Sequence, residues 1–364
     1  MSIKRLLLFL LVSVVSVSYS QNKLENSKII LITLDGFRWQ ELFAGADEKL
    51  IVNEEYVSNP DWLKNKYWLE TAKERREALL PFIWNEVVKM GQIHGNIELG
   101  SKVTLTNKMW FSYPGYNEIL SGKADDERIT SNDKFNNPNK TVLELVNSRK
   151  EYNGNVAAFG SWDVFPYIIN ETRSGVPVNA GYENAIGDDL TDREELLNEM
   201  QDQTPVLWGT VRLDAFTHNF AKEYMKKKHP ELLYISYGET DDFAHQGKYK
   251  SYITSANRTD AMIKDLWEFT QQDPFYKGNT VFIITSDHGR GTQPIDNWRH
   301  HGSNIKGADQ VWIIAFGNNV EALGEIDKNE QLYSTQVAPT ILKLLGIPYD
   351  NTELTGAPLN LLMD

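Results

Sequence analysis

This sequence predicts an α/β fold: a central, mostly parallel sheet sandwiched between helices, with insertions at its rim. Three features carry that prediction. Five apolar, β-rich runs recur along the chain with helical stretches between them. Within each run the hydrophobicity is continuous rather than alternating, the pattern of strands covered on both faces of a parallel sheet. The composition, 41% hydrophobic and 11% aromatic over 364 residues, is that of a globular chain with ample bulk for a core.

Taken in order, residues 1–20 (MSIKRLLLFLLVSVVSVSYS) open on Lys4 and Arg5, run mostly apolar from Leu6 to Val17 and end in Ser18-Tyr19-Ser20. That is the layout of an export signal cleaved near Ser20. An apolar run of about 12 residues falls short of the roughly 20 needed to cross a bilayer, so no stable membrane anchor is expected. Residues 21–364 then read as one domain. Its strand candidates are KIILITL (28–34), NVAAF (155–159), ELLYISY (231–237), NTVFIIT (279–285) and QVWIIAF (310–316). Thr191 to Glu194 resembles a capping box ahead of a helix. Residues 256–271 carry apolar positions at helical spacing, and residues 335–345 end at Gly346-Ile347-Pro348, a stop signal. The stretches 53–79 and 132–140 read as rim insertions.

A net charge of -13 argues against a general nucleic-acid binder, although a small anionic or nucleotide substrate can still be held at a local cationic site. The absence of cysteine removes disulfides, thiolate zinc sites, cysteine nucleophiles and a lipid anchor on a terminal cysteine. An exported chain without cysteine suits a bacterial periplasm or the exterior.

Four blocks carry chemistry, most of them at strand ends. Asp35 in LDGFR directly follows the first strand, where open α/β sheets bind ligands, and is well placed to ligate a metal. Ser112 in WFSYPGYN precedes Pro114, a residue suited to a helix's first turn, so the hydroxyl falls where free N–H groups and the dipole favour an alkoxide or phosphate. Asp241 and His245 in DDFAH are four apart and share a helix face that can chelate an ion; Asp242, three apart, is the alternative. Asp287 and His288 follow the fourth strand, and Arg299-His300-His301-Gly302 comes soon after. Four of the seven histidines fall in the last two blocks.

The order LDGFR, SYPGYNEILSG, DDFAH, SDHG, HHG resembles the alkaline phosphatase superfamily over about residues 28–348, with the nucleotide pyrophosphatase/phosphodiesterase-like branch nearest. The resemblance implies an alkaline phosphatase-like sheet between helical layers and two divalent ions, usually Zn2+, with Mn2+ as the alternative. It implies that Asp241, His245 and His301 hold one ion and that Asp35, Asp287 and His288 hold the other, with Ser112 bridging or facing the pair. His301 is preferred to His300 because it directly precedes Gly302. Asn132 falls one residue short of the spacing at which the family places an Asn against a phosphoryl oxygen. Departures are visible too. The family's diesterases carry Thr at the nucleophile position, its monoesterases a Lys-x-Arg pair absent from residues 160–175, and its sulfatases an Arg where this chain has Tyr116.

The chemistry is consistent in itself, because a metal can turn a serine hydroxyl into a nucleophile and stabilise an in-line displacement. The expectation is an exported two-metal hydrolase of phosphoric mono- or diesters, small-molecule substrates acted on through a phosphoseryl intermediate on Ser112 rather than on Thr106 or Ser121. A phosphotransferase or sulfoester hydrolase on the same scaffold is the alternative, and a non-catalytic metal-binding protein a third reading. Lys108, Arg38 and Arg299 are candidate oxyanion partners.

Overall fold

The computed structural model describes residues 27–349 and 356–362; the export signal expected over 1–20 lies outside the described residues. Among the described residues, eleven strands form two sheets: β1 Lys28–Leu34, β2 Gly91–His94, β3 Ser101–Thr104, β4 Val156–Gly160, β5 Val178–Ala180, β6 Leu232–Tyr237, β7 Thr280–Thr285, β8 Gln310–Val311, β9 Ile313–Gly317, β10 Gly324–Glu325 and β11 Glu330–Tyr333. The main sheet has the order β10-β2-β9-β7-β1-β6-β4-β5, and a small sheet has the order β11-β3-β8. In the main sheet β9 alone runs against its neighbours. The sheet is therefore mostly parallel, as the sequence predicts.

Side-chain alternation divides the core into two layers. From β1, Ile30, Ile32 and Leu34 face one layer, closed by helices Asp214–Lys228 and Tyr249–Gln272. Ile29 and Leu31 face the other, closed by helices Ser112–Ser121, Val142–Asn147 and Val337–Leu344. The capping box at Thr191 and Glu194 does open a helix, Asp192–Gln203. Residues 53–79 contain two short helices that bury Leu63, Tyr67 and Leu79 in the core.

The run 310–316 is the main departure. It breaks at Trp312, whose indole donates to Phe37 O at 2.8 Å, and the residues before and after it enter different sheets. The longer part, β9, is antiparallel. A strand buried on both faces reads the same in either direction, so hydrophobicity alone could not show this.

Among the described residues, no helix is long and apolar enough to cross a membrane.

Candidate metal centre

Strands β7, β1 and β6 are adjacent and parallel. Their carboxyl ends therefore lie side by side, and each releases one motif block: Asp35 after β1, Asp287 and His288 after β7, and helix Glu239–His245 after β6. Open α/β sheets bind ligands in the crevice beyond such carboxyl ends.

His288 is the hub. Its Nδ1 lies 2.9 Å from Gly289 O, which assigns the proton to Nδ1 and leaves a lone pair on Nε2. Around Nε2 stand Asp35 Oδ1 at 3.3 Å, Asp287 Oδ2 at 3.5 Å, Asp241 Oδ1 at 3.7 Å and Ser112 Oγ at 3.4 Å. Each of the two fully enclosed carboxylates is held by one oxygen only. Asp35 Oδ2 accepts from the Tyr116 hydroxyl at 2.8 Å, and Asp287 Oδ1 accepts from Gly36 N at 3.0 Å. The opposite oxygens, Asp35 Oδ1 and Asp287 Oδ2, are buried without a hydrogen-bond partner, as is His301 Nδ1. Unpaired buried acceptors are costly, so a set of them converging on one point fits a cation.

The remaining ligand candidates lie beside this group. The rings of His288 and His301 stack with centroids 3.9 Å apart. His301 Nε2 is 2.9 Å from His245 Nε2 and 3.7 Å from Asp241 Oδ1, and His245 Nε2 is 3.2 Å from Asp241 Oδ2. Two sets offer ligand atoms within 4.8 Å of one another: Asp35, Asp287 and His288, and Asp241, His288 and His301. Five of the six Asp and His positions picked from the sequence fall in these sets, with His288 in both, and His245 is in neither but lies beside Asp241 and His301. Asp242 is in neither set, and His300 turns away to Asp296 at 3.3 Å.

Burial first, and then neighbouring charge, explains the titration of these groups. Burial and the Asp241 carboxylate raise Asp35 well above the usual carboxylate range, and burial and Asp35 do the same to Asp287. Burial would also raise Asp241, but Arg290 and His245 hold it well below. Burial and His288 lower His301.

Ser112 is the first residue of helix Ser112–Ser121 and is buried. Gly115 lets that helix approach, since a Cβ there would lie 2.1 Å from Asp287 O. Asn132 sits at the same helix end, where its Oδ1 accepts from Tyr113 N at 2.9 Å. The Asn-rich stretch around it is a scaffold: Asn137 and Asn139 are buried and both donate to Asn117 Oδ1. Of the other nucleophile candidates, Ser121 Oγ bonds Asn117 O at 2.6 Å near the far end of the helix, and Thr106 is exposed in the loop before it.

The expected oxyanion partners do not reach Ser112. Arg38 is buried in an ion pair with Glu41, Lys108 is exposed, and Arg299 donates to Asp296 at 3.0 Å and to His245 O at 3.1 Å. The cation the sequence reading passed over is Arg290, two residues after His288. Fully buried, it donates to Gly36 O at 3.0 Å, to Arg299 O at 2.7 Å, and to both the carbonyl and carboxylate of Asp241. It ties the LDG, DDFAH, SDHG and HHG blocks into one unit. Only its place beside SDHG hinted at this.

Fold and site together define an α/β metalloenzyme scaffold. Residues 175–349 match the family model "Metalloenzyme superfamily". Among solved structures the chain is similar to alkaline phosphatase PafA, with a TM-score of 0.60 at 10% identity over 93% of this chain and 99% of that one, a likeness of fold. Among curated proteins it is 30% identical over 119 residues to 2,3-bisphosphoglycerate-independent phosphoglycerate mutase of Ureaplasma urealyticum, 32% of this chain and 21% of that protein. It is 22% identical over 263 residues to GPI ethanolamine phosphate transferase 1 of Neurospora crassa, 72% of this chain and 23% of that protein. The chain thus spans under a quarter of the length of both relatives. The family model and the likeness of fold agree with the resemblance to the alkaline phosphatase superfamily, and no match singles out the nucleotide pyrophosphatase/phosphodiesterase-like branch.

Proposed function

We propose that this protein is an exported two-metal hydrolase of phosphoric mono- or diesters that works through a phosphoseryl intermediate on Ser112. The observation that carries the reading is the convergence of unpaired ligand atoms, Asp35 Oδ1 and Asp287 Oδ2, on His288 Nε2, with Ser112 Oγ 3.4 Å from that nitrogen. Asp241, His245 and His301 would hold one divalent cation and Asp35, Asp287 and His288 the other, a thiolate-free donor set that suits Zn2+ with Mn2+ as the alternative. Bound there, the cations supply the positive charge that makes the Ser112 hydroxyl nucleophilic and offsets charge on the phosphoryl oxygens.

Ser112 Oγ forms a bond to phosphorus as the bond to the leaving oxygen breaks opposite it, and the leaving alkoxide takes up a proton. Water then attacks the phosphoserine, releasing phosphate or a phosphate monoester and restoring the hydroxyl. The Asn132 carboxamide, fixed at the helix end, donates to a phosphoryl oxygen. Phosphoryl transfer to an alcohol instead of water is the second reading, supported by the likeness to the transferase and the mutase.

The test is turnover of aryl phosphate monoester, phosphodiester and sulfate side by side with zinc, with and without glycerol as acceptor. Hydrolysis of the phosphate esters is expected; a phosphorylated glycerol product would favour the second reading, and turnover of sulfate alone would replace both. Ser112→Ala should keep the metal and lose on the order of a thousandfold or more in turnover. Retention of more than about a tenth, a barrier change of only about 1.4 kcal/mol, would overturn the covalent role.

A further inference from the structure

The hydroxyls beneath the site have a direction. Tyr116 lies four residues after Ser112, on the same helix face. Its hydroxyl donates to Asp35 Oδ2 at 2.8 Å and accepts from Ser236 Oγ at 3.2 Å. Ser236 accepts from Thr33 Oγ1 at 3.0 Å, and Thr33 Oγ1 lies 2.9 Å from the Tyr234 hydroxyl. Each hydroxyl has one proton to give. Thr33 gives its proton to Ser236, so Tyr234 donates to Thr33, and the run reads Tyr234, Thr33, Ser236, Tyr116, Asp35, each donating to the next. A carboxylate at the end, which can only accept, sets that polarity, and hydrogen bonds aligned in this way reinforce one another.

Strand register builds the run. Thr33 pairs with Ser236 across β1 and β6. All four hydroxyl residues are at most 1% exposed, so bulk water does not compete for them. The Tyr116 ring is fixed edge-on against Phe165, with centroids 4.8 Å apart. The backbone of Asp35 is pinned as well: its N–H donates to Tyr237 O at 2.9 Å and its carbonyl accepts from Thr240 Oγ1 at 2.5 Å. Only the carboxylate's rotation about its side-chain bonds remains, and Tyr116 stops it. Polar residues in a sheet whose neighbouring positions are Ile29, Leu31 and Ile32 gain nothing in packing over aliphatic ones, so their value lies at the end of the run.

We propose that Tyr116 is a positioning residue for the cation held by Asp35, Asp287 and His288: by engaging Asp35 Oδ2 it turns Oδ1 toward Asp287 Oδ2 and His288 Nε2, and the hydroxyls behind it keep it a donor. This rests on the two-metal reading above. Hydrogen-bonded partners behind metal ligands commonly set affinity by 10–100-fold.

The test uses the full protein, stripped with a chelator and titrated with zinc against a competing chelating dye. Tyr116→Phe keeps the ring and its packing. It should bind one of two zinc ions about 10–100-fold more weakly and the other with wild-type affinity. At limiting cobalt it should lose the absorption of one site only, and excess zinc should restore its turnover. Ser236→Ala, one step further back, should shift the same ion by a few-fold, and it carries the test if Tyr116→Phe does not fold. Two ions bound with wild-type affinity, or both weakened equally, would overturn the proposal. Wild-type protein that takes up no zinc would overturn it together with the two-metal reading. Wild-type protein that binds two ions but turns over no ester would overturn the hydrolase reading alone, and the Tyr116 titration would stand by itself.

Discussion

Replacing Arg290 with methionine should destabilise the metal-free protein by about 3–5 kcal/mol, the usual cost of removing one partner from a buried ion pair. Arg290 is fully buried and donates to three carbonyls, Gly36 O, Arg299 O and Asp241 O, besides the Asp241 carboxylate. Methionine fills much of the same space, so little of the loss comes from a cavity. The loss comes from a half-buried carboxylate without its cation and from carbonyls without a donor, at about 1–3 kcal/mol for each unsatisfied group. Against a typical total of about 5–15 kcal/mol the variant should remain folded and measurable. With zinc bound, a second source of positive charge faces Asp241, and the carbonyl bonds make up most of what is lost. Guanidinium unfolding in EDTA and in excess zinc should therefore show a clearly smaller Arg290→Met loss in zinc. By linkage, a smaller loss in zinc means that the variant binds zinc more tightly than the wild type. A loss below about 1 kcal/mol in EDTA would refute the ion pair's role. An equal loss in both conditions would refute the idea that Arg290 and a cation share the charge of Asp241.

Two further predictions test packing and buried charge. Gly115→Ala puts a methyl group 2.1 Å from Asp287 O and must lift the Ser112 helix off the SDHG loop; it should cost about 1–3 kcal/mol and roughly a hundredfold in turnover, and wild-type activity would show that this close approach is dispensable. Asp260 accepts from Phe82 N at 2.8 Å and Ile83 N at 3.0 Å, with Lys264 and Glu86 as its charged neighbours, and burial pushes its carboxyl up to about 7. A folded value above the unfolded one, about 3.9, means stability is greatest below the unfolded value, falls as pH rises to about 7 and is flat above. Relative to Asp260→Asn, the wild type should lose about 4 kcal/mol between pH 4 and pH 8, at about 1.4 kcal/mol per unit; urea unfolding that shows a pH-independent difference would contradict this.

What the sequence disclosed follows from how each feature is encoded. KIILITL is strand β1 residue for residue, because a run buried on both faces is legible locally and Asp35-Gly36 marks its end. Asp35, Asp287 and His288 were legible as ligand candidates because a polar residue just past a buried strand is a local statement, and sheet topology then supplies their convergence. The direction of β9 was not legible, since it lies in how the strand pairs with β7 and with β2, far away in the chain. Arg38 and Arg290 invert the expectation for the same reason. Both are single cations in a motif, and only the fold shows that Arg38 is closed off by Glu41 while Arg290 meets Asp241. Tyr116 read as a broken sulfatase motif and proves to be a donor to Asp35.

These inversions bear on how so acidic a chain can hold an anion. Asp35, Asp241 and Asp287 crowd around His288 at the ends of three adjacent strands, and the buried cation beside them, Arg290, forms its ion pair with Asp241. Among the described residues, Asp35 and Asp287 form no ion pair with a buried Arg or Lys, and burial together with neighbouring carboxylates, Asp241 for Asp35 and Asp35 for Asp287, pushes both toward the neutral form. The Tyr116 and Gly36 donors work against that push by favouring the ionised carboxylates, but neither brings a charge. A cation from solution resolves the imbalance where the unpaired oxygens point, and the Ser112 helix, brought close by Gly115, stands over the same point. Burial that would otherwise weaken the fold is thus what sets the site's demand for positive charge, and under the proposed function that local charge would draw an anionic ester whatever the net charge of the surface.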